Sequence, residues 1–236
     1  MTRARRLTAE GVGTALLLAG VVGSGIMGER LAGGNVAIAL LANTLATGAI
    51  LVALILTFGP ISGAHFNPAV TLVEAWQGSL AWDEVPGFVI VQLSGAFVGV
   101  VLAHLMFAHP LFALSLHERA GAAQLLSEFV ATFGLVSVIR GCGPRQATAF
   151  AVGAYIAAAY WFTASTSFAN PAVTLARAMT DTFAGIRPVD APAFIAAQVL
   201  GGATGAGLFA WLRPAAAEAR RVVTTTGAAP RAGRAP

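Results

Sequence analysis

The 236-residue sequence contains no lysine and one cysteine, and its charged residues make up only 10% of the chain. The single cysteine, Cys142, excludes a disulfide within one chain and any metal site built from several cysteines. No nucleophile and base pair, metal-ligand cluster or phosphate loop is visible, so nothing in the sequence supports an enzyme, a metal site or a cofactor. The scarcity of charge, together with 57% hydrophobic residues, instead indicates an integral membrane protein.

Long apolar runs are the dominant feature of the chain. A helix of about 20 apolar residues is long enough to cross the hydrocarbon core of a bilayer. The sequence predicts six such spans, near residues 7–29, 36–58, 86–108, 122–140, 146–164 and 191–212. We therefore expect an all-α membrane protein whose surroundings are the lipid bilayer.

The distribution of arginine predicts the orientation of these spans. If both termini are cytoplasmic, ten arginines lie inside and four lie outside, at Arg30, Arg119, Arg177 and Arg187. This excess of positive charge on the inner side favours that orientation in the cell inner membrane. The same bias accounts for the net charge of +4, which therefore does not indicate nucleic-acid binding.

The hexapeptide Asn-Pro-Ala-Val-Thr-Leu occurs twice, at residues 67–72 and 170–175. Asparagine before proline can cap a helix, proline is tolerated at the first helical position, and alanine allows two helix ends to approach closely. The repeat predicts two re-entrant half-helices, near 67–76 and 170–180, that enter the membrane from opposite sides and line a pore. The predicted pore motifs comprise Asn67, Pro68, Ala69, Asn170, Pro171 and Ala172.

The rest of the chain repeats with the hexapeptide. Glu10 and Thr14 correspond to Glu128 and Thr132, and Gln92, Gly95 and Gly99 correspond to Gln198, Gly201 and Gly205. Three spans per repeat is an odd number, so the repeats are inverted. The predicted organisation is a cytoplasmic N-terminus at 1–6, a first repeat at 7–108, an extracytoplasmic loop at 109–121, a second repeat at 122–212 and a disordered cytoplasmic tail at 213–236.

Glu10 and Glu128 lie within predicted spans, where a charged side chain requires partners. One interpretation makes them proton carriers of a coupled transporter. The other makes them acceptors for the non-helical backbone before each half-helix, where several N–H groups lack helical partners. We favour the second, because such backbone requires an acceptor wherever it lies at membrane depth.

With these motifs the sequence resembles the major intrinsic protein family, the aquaporins and aquaglyceroporins, over about residues 7–212. Residues 62–71, Ser-Gly-Ala-His-Phe-Asn-Pro-Ala-Val-Thr, match the family's first pore loop almost letter for letter. The resemblance implies an aquaporin-like inverted 3+3 fold of six spans and two half-helices. It also implies a homotetramer with a pore in each subunit, small neutral solutes, no cofactor and no energy coupling.

The sequence departs from most of the family at the outer constriction. An arginine usually follows the second Asn-Pro-Ala, whereas this chain has Val173. The usual spacing places the other constriction positions at Thr47, Ala158 and Ser167, which predicts a wide filter without arginine. Glycerol, urea and arsenous acid are then candidate solutes besides water. Within the family, the chain resembles bacterial channels associated with arsenic resistance.

Three further side chains have alternative interpretations. Arg177 and Glu74 each follow a motif asparagine by seven residues, so they either charge the two vestibules or anchor the half-helix ends. His65 either lines and braces the pore or gates it by protonation. The alternatives for the whole chain are a water-selective aquaporin, a proton-coupled secondary transporter and a structural junction-forming membrane protein.

Overall fold

The structure is a computed structural model that describes residues 1–213, so the predicted disordered tail lies outside the described residues except for Arg213. It has eight helices within that range. They are α1 (Arg3–Leu31), α2 (Val36–Ser62), α3 (Pro68–Trp76), α4 (Val85–Phe107), α5 (Ala122–Gly141), α6 (Arg145–Phe162), α7 (Pro171–Arg177) and α8 (Ala191–Leu212).

The six long helices coincide with the six predicted spans, with differences at their ends that follow from capping in α1 and α2. The first helix begins at Arg3 rather than at residue 7, because the Thr2 hydroxyl accepts a hydrogen bond from the Arg5 N–H at 3.4 Å. Asn35 caps α2 through its side-chain oxygen. That helix continues to Ser62 and ends at Gly63, whose φ of 101° interrupts the helical backbone.

Five of the long helices are long and apolar enough to cross a membrane. The exception is α6, which has 18 residues and begins with the polar pair Arg145 and Gln146. By contrast, α3 has nine residues and α7 has seven. At about 1.5 Å per residue, nine residues extend about 14 Å, roughly half of the hydrocarbon core. These lengths fit half-helices, although the second is shorter than the predicted 170–180.

The two repeats pack in the same way. The first and third long helices of each repeat lie against each other, as α1 on α4 and α5 on α8, and α2 contacts α6 between the repeats. A methyl group added at Gly95 would collide with the carbonyl oxygen of Gly11, and one added at Gly201 would collide with that of Phe129. Small residues thus allow the close helix packing that the sequence predicts in both repeats.

Candidate functional site

The two half-helices begin at the paired asparagines and meet there. The side-chain oxygen of Asn67 accepts a hydrogen bond from the Ala69 N–H at 2.9 Å, and that of Asn170 accepts one from the Ala172 N–H at 2.9 Å. Both asparagines therefore act as helix caps, and a proline occupies the first turn of each helix.

The same asparagines also bridge the two motifs. The Asn67 amide donates to the Ala169 carbonyl oxygen at 2.7 Å, and the Asn170 amide donates to the Phe66 carbonyl oxygen at 2.8 Å. Each amide group carries two N–H donors, and one such bond uses only one of them. The second donor on each side remains for a molecule in the adjoining cavity, which both asparagines line.

The backbone before each half-helix adopts an unusual conformation. Ala64 and Phe66 have φ values of 53° and 49°, and Ser167 and Ala169 have φ values of 52° and 50°. Residues other than glycine seldom adopt this left-handed region, so these segments need support from their surroundings.

Buried carboxylates provide that support in both repeats. Glu10 accepts hydrogen bonds from the N–H groups of His65 at 3.0 Å and Phe66 at 2.7 Å. Glu128 accepts from Phe168 and Ala169, each at 2.9 Å. Neither glutamate is exposed. This is the geometry that the scaffold interpretation requires, because the carboxylates accept from backbone groups that no helix satisfies.

A glutamine on the third long helix of each repeat completes the arrangement. The Gln92 amide donates to Glu10 at 2.9 Å and to the Thr71 hydroxyl at 2.9 Å. The Gln198 amide donates to Glu128 at 2.6 Å and to the Thr174 hydroxyl at 2.8 Å. Each half-helix is thereby tied through its threonine to the carboxylate that holds the preceding loop.

A cavity of about 270 Å³ runs between the long helices and past both asparagines. It extends from Arg145 and Thr148 near the start of α6 to Arg177 at the end of α7. The predicted site residues that line it are Asn67, Asn170, Thr47, Ser167, Val173, His65, Glu74 and Arg177. Pro68, Ala69, Pro171, Ala172, Glu10 and Glu128 lie outside its lining.

The assignment of Ala158 to the constriction needs correction. Ala158 is exposed on the outer surface of α6, whereas Tyr160 is buried and lines the cavity. The Tyr160 hydroxyl donates to the Thr47 hydroxyl at 3.2 Å. Two residues along a helix rotate a side chain by about 200°, so a two-residue error in counting through a loop selects the opposite face. The spacing of Val152, Ile156 and Tyr160 could have indicated the correct face.

One hydroxyl that lines this cavity lacks a protein partner within residues 1–213. The side-chain oxygen of Ser167 is buried and has no hydrogen bond to any residue within 1–213. Ser167 lines the cavity together with the apolar residues Phe168 and Val173. A buried hydroxyl without a partner is unfavourable unless a solute or water molecule binds it.

Arg177 and an arginine that the sequence did not single out, Arg119, lie at the end of the cavity that the arginine distribution predicts to face outward, called the outer end below. The guanidinium of Arg177 lies 3.4 Å from the centre of the Phe168 ring, and its Nε donates to the Ala184 carbonyl oxygen. Arg119 lies 4.9 Å from the same ring and donates to the carbonyl oxygens of Gly185 at 2.8 Å and Ser165 at 3.0 Å.

Arg119 comes from the loop between α4 and α5. Burial lowers the pKa of its guanidinium to about 10, so the group stays charged at neutral pH. No motif surrounds this residue in the sequence, and its role depends on a long-range contact that local patterns do not report.

The opposite end of the cavity, which is predicted to face the cytoplasm and is called the inner end below, has a different set of charges. Glu74 forms an ion pair with Arg140 at 3.4 Å, and Arg140 also donates to the Gln77 side chain. The His65 ring lies between the Thr71 hydroxyl, 3.1 Å from Nδ1, and the Phe88 ring, 5.4 Å away. Both predicted residues therefore line the cavity and also contact the elements around it. Within residues 1–213 no group of three or more potential metal ligands occurs.

Comparison with known proteins identifies the family. The profile described as "Major intrinsic protein" matches residues 1–146 and 141–234. The chain belongs to the major intrinsic protein family. Among members of this family, it is 55% identical over 210 residues to "Aquaglyceroporin AqpS" of Rhizobium meliloti, covering 88% of this chain and 90% of that protein. It is 31% identical over 183 residues to "Aquaporin NIP1-2" of Oryza sativa, covering 70% of this chain and 58% of that protein.

A solved structure from the same family has the same fold. The aquaglyceroporin from Plasmodium falciparum superposes with a TM-score of 0.69 at 21% sequence identity, covering 90% of this chain and 96% of that chain. The prediction of an all-helical aquaporin-like fold is confirmed. The major intrinsic proteins are membrane channels rather than enzymes. The predictions of a membrane protein and of a protein without enzymatic activity are therefore confirmed as well.

Proposed function

We propose that this chain is a passive channel of the aquaglyceroporin type for small neutral solutes, namely glycerol, water and metalloid hydroxides such as arsenous acid. One observation carries the proposal: a cavity passes both asparagine caps and is lined by polar and apolar side chains, among them Ser167 and Val173. Solutes with several hydroxyl groups need both, because their oxygens form hydrogen bonds while their carbon backbone or flat face contacts an apolar surface.

The donors in the cavity suit oxygen-bearing solutes. Asn67 and Asn170 each retain one amide N–H, and Ser167 has a hydroxyl without a partner among residues 1–213. The half-helices direct the positive ends of their dipoles toward the asparagines. Neutral oxygens are favoured there and cations are disfavoured, which supports transport of uncharged molecules.

We infer that Thr47, Tyr160, Ser167 and Val173, which all line the cavity, form its outer constriction. The Tyr160 hydroxyl is held against Thr47, and Val173 has no charged group to extend across the opening. We infer an aperture wider than one with arginine at position 173, so glycerol passes. Arsenous acid is uncharged at neutral pH and resembles a small polyol, and the same opening therefore suits it.

Passive rather than coupled transport is supported by the state of the buried acids. Glu10 and Glu128 are fully buried and accept several hydrogen bonds from neighbouring groups. A proton carrier needs access to water on each side in turn, whereas these carboxylates lie behind the pore loops. We also propose a homotetramer in the cell inner membrane with both termini in the cytoplasm, on the arginine distribution and the family resemblance.

Reconstitution tests this proposal. The purified protein is placed in liposomes, and stopped-flow light scattering records the flux of water, glycerol, urea and arsenous acid down an imposed gradient. We expect flux of the neutral polyols above that of empty liposomes, without uphill accumulation under a proton gradient. Flux of water alone would contradict the broad-specificity proposal, and uphill accumulation that collapses with an uncoupler would identify a coupled transporter.

A further inference from the structure

Arg177 occupies a position from which it can act on the channel. It lies one helical turn beyond Val173 on α7 and lines the same cavity as Val173 and Ser167. Residues four apart on a helix share a face, so both side chains point to the same side of α7. Only 2% of Arg177 is exposed, and its guanidinium is fixed by the Phe168 ring and the Ala184 carbonyl oxygen.

The charge of Arg177 has no ion-pair partner in the described part of the chain. Within residues 1–213, no carboxylate forms an ion pair with the guanidinium of Arg177 or of Arg119. Other arginines in that range do have acidic partners, including Arg140 with Glu74 and Arg187 with Asp190. The only protein acceptor for the Arg177 guanidinium in the described range is the Ala184 carbonyl, which binds Nε and leaves the terminal amino groups without a protein hydrogen bond.

We propose that Arg177 is the cation-excluding residue at the outer end of this channel and replaces, one turn further out, the charge that is missing at Val173. This inference rests on the proposed channel function. Because the charge lies beyond the constriction instead of within it, the Thr47, Tyr160, Ser167 and Val173 opening stays wide. The channel can then admit larger neutral solutes and still reject cations.

Electrostatics give the size of the expected effect. At an effective dielectric constant of about 20, a unit positive charge about 6 Å from a guanidinium is disfavoured roughly hundredfold. The half-helix dipoles add to this barrier at the centre of the channel. Removal of the Arg177 charge should therefore raise cation permeability substantially without abolishing exclusion.

Arg119 acts as a positioning residue in this arrangement. Its guanidinium holds Ser165 at the start of the outer pore loop and Gly185 in the loop after α7, and it contacts the same Phe168 ring. It does not line the cavity itself. Its bonds fix the two loops whose Phe168 ring and Ala184 carbonyl hold Arg177.

The experiment compares Arg177→Gln, Arg177→Met and Arg177→Lys in liposomes, with proton and potassium leak measured by fluorescent dyes and glycerol flux measured by light scattering. Arg30→Gln is the matched control, because Arg30 is an exposed arginine outside the cavity. We expect the Gln and Met variants to raise cation leak by at least about tenfold while glycerol flux changes by about twofold or less. The Lys variant and the Arg30 control should stay close to the wild type.

Two results would overturn the inference. One is a folded Gln or Met variant that remains as tight to cations as the wild type. The other is a folded Lys variant that leaks, because a leak despite the retained positive charge would assign Arg177 a structural role through its fixed guanidinium. This second result is decisive even if neither neutral variant folds. Failure of the channel proposal is separate, because it would appear as absent glycerol flux in the unmodified protein.

Discussion

The half-helices α3 and α7 are held by the same hydrogen bonds in their respective repeats. Each has an asparagine cap, a carboxylate that accepts two backbone N–H groups of the preceding loop, and a glutamine that joins the carboxylate to a threonine of the half-helix. This agreement extends to the left-handed backbone of both loops. The scaffold at the channel centre is therefore independent of the membrane side from which a half-helix enters.

The outer parts of the two regions differ. Seven residues after each asparagine, the inner half has Glu74 paired with Arg140, and the outer half has Arg177 against an aromatic ring and a carbonyl oxygen. The corresponding loop residues His65 and Phe168 also have different side chains, although each donates a backbone N–H to Oε1 of its glutamate. Shared backbone chemistry at the centre thus permits different side chains at the two mouths.

The largest effect is expected at the two buried carboxylates, Glu10 and Glu128, and it tests whether the two repeats are equivalent. In Glu10→Ala and Glu128→Ala, two buried backbone N–H groups lose their acceptor, at about 1 to 3 kcal/mol each. We expect both variants to lose about 2 to 6 kcal/mol of stability, seen as a lower Tm and a lower yield of monodisperse protein in detergent. Glu10→Ala should be the more damaged, because Glu10 also accepts from the Ser62 hydroxyl at 2.6 Å.

Glu74→Ala is the control for these variants, because its carboxylate lies at the inner mouth and not behind a pore loop. It should retain most of the wild-type stability. The milder Glu128→Gln variant separates the two interpretations of the buried acids: if it folds well but loses uphill accumulation driven by pH, the carboxylate carries protons and the scaffold interpretation is wrong.

The asparagine pair offers the next largest effect. Asn67→Asp places a carboxylate against the Ala169 carbonyl oxygen, and Asn170→Asp places one against the Phe66 carbonyl oxygen. Each change removes an amide donor and puts negative charge at the positive ends of both half-helices. We expect glycerol flux to fall about tenfold, as for the loss of one hydrogen bond, with a measurable rise in cation leak.

Because the two asparagines have mirrored contacts, both variants should behave alike in the same liposome measurement. Wild-type flux and ion exclusion in both variants would count against the asparagine pair as the centre of the channel. A large effect in only one would show that the two half-helix ends contribute unequally.

Local motifs explain why the centre of the channel could be predicted from the sequence. The hexapeptide alone determines the start of each half-helix, its asparagine cap and the close approach of the two helix ends. Glu10 and Glu128 are recognisable because an acid in an apolar span requires partners. Glycine spacing in α4 and α8 likewise predicted the close contacts. Such features depend on neighbours in sequence and on a repeat that supplies each signal twice.

The outer mouth could not be predicted in the same way, because its residues come together only through tertiary contacts. Arg119 reaches Ser165 and Gly185 from a separate loop, and no periodic pattern marks it. Tyr160 was missed because counting through the loop after α6 gave Ala158, on the opposite face of the helix. The predicted end of the second half-helix at residue 180 also lies beyond the observed end at Arg177.

Val173→Arg tests whether the side chain at position 173 selects solutes at the proposed outer constriction. A guanidinium there would extend across the opening beside Ser167 and add a second charge one turn from Arg177. We expect glycerol and arsenous acid flux to fall about tenfold relative to water flux, because aperture size limits the larger solutes first. Val173→Leu is the control for added bulk without charge. An unchanged ratio of large to small solute flux in a folded Val173→Arg protein would show that Val173 does not contribute to selection.

The smallest effect is expected at the inner mouth. Glu74 and Arg140 are 15% and 14% exposed along their side chains, and partly solvated ion pairs typically contribute about 1 kcal/mol or less. Glu74→Gln should therefore leave glycerol flux and cation leak within about twofold of the wild type in liposomes. The asymmetry between the mouths predicts that Arg177→Gln changes the cation leak far more than Glu74→Gln does. If Glu74→Gln raised the cation leak as strongly as Arg177→Gln, the two mouths would contribute equally to charge selection. The ion pair of Glu74 and the missing ion pair of Arg177 would then have no bearing on cation exclusion.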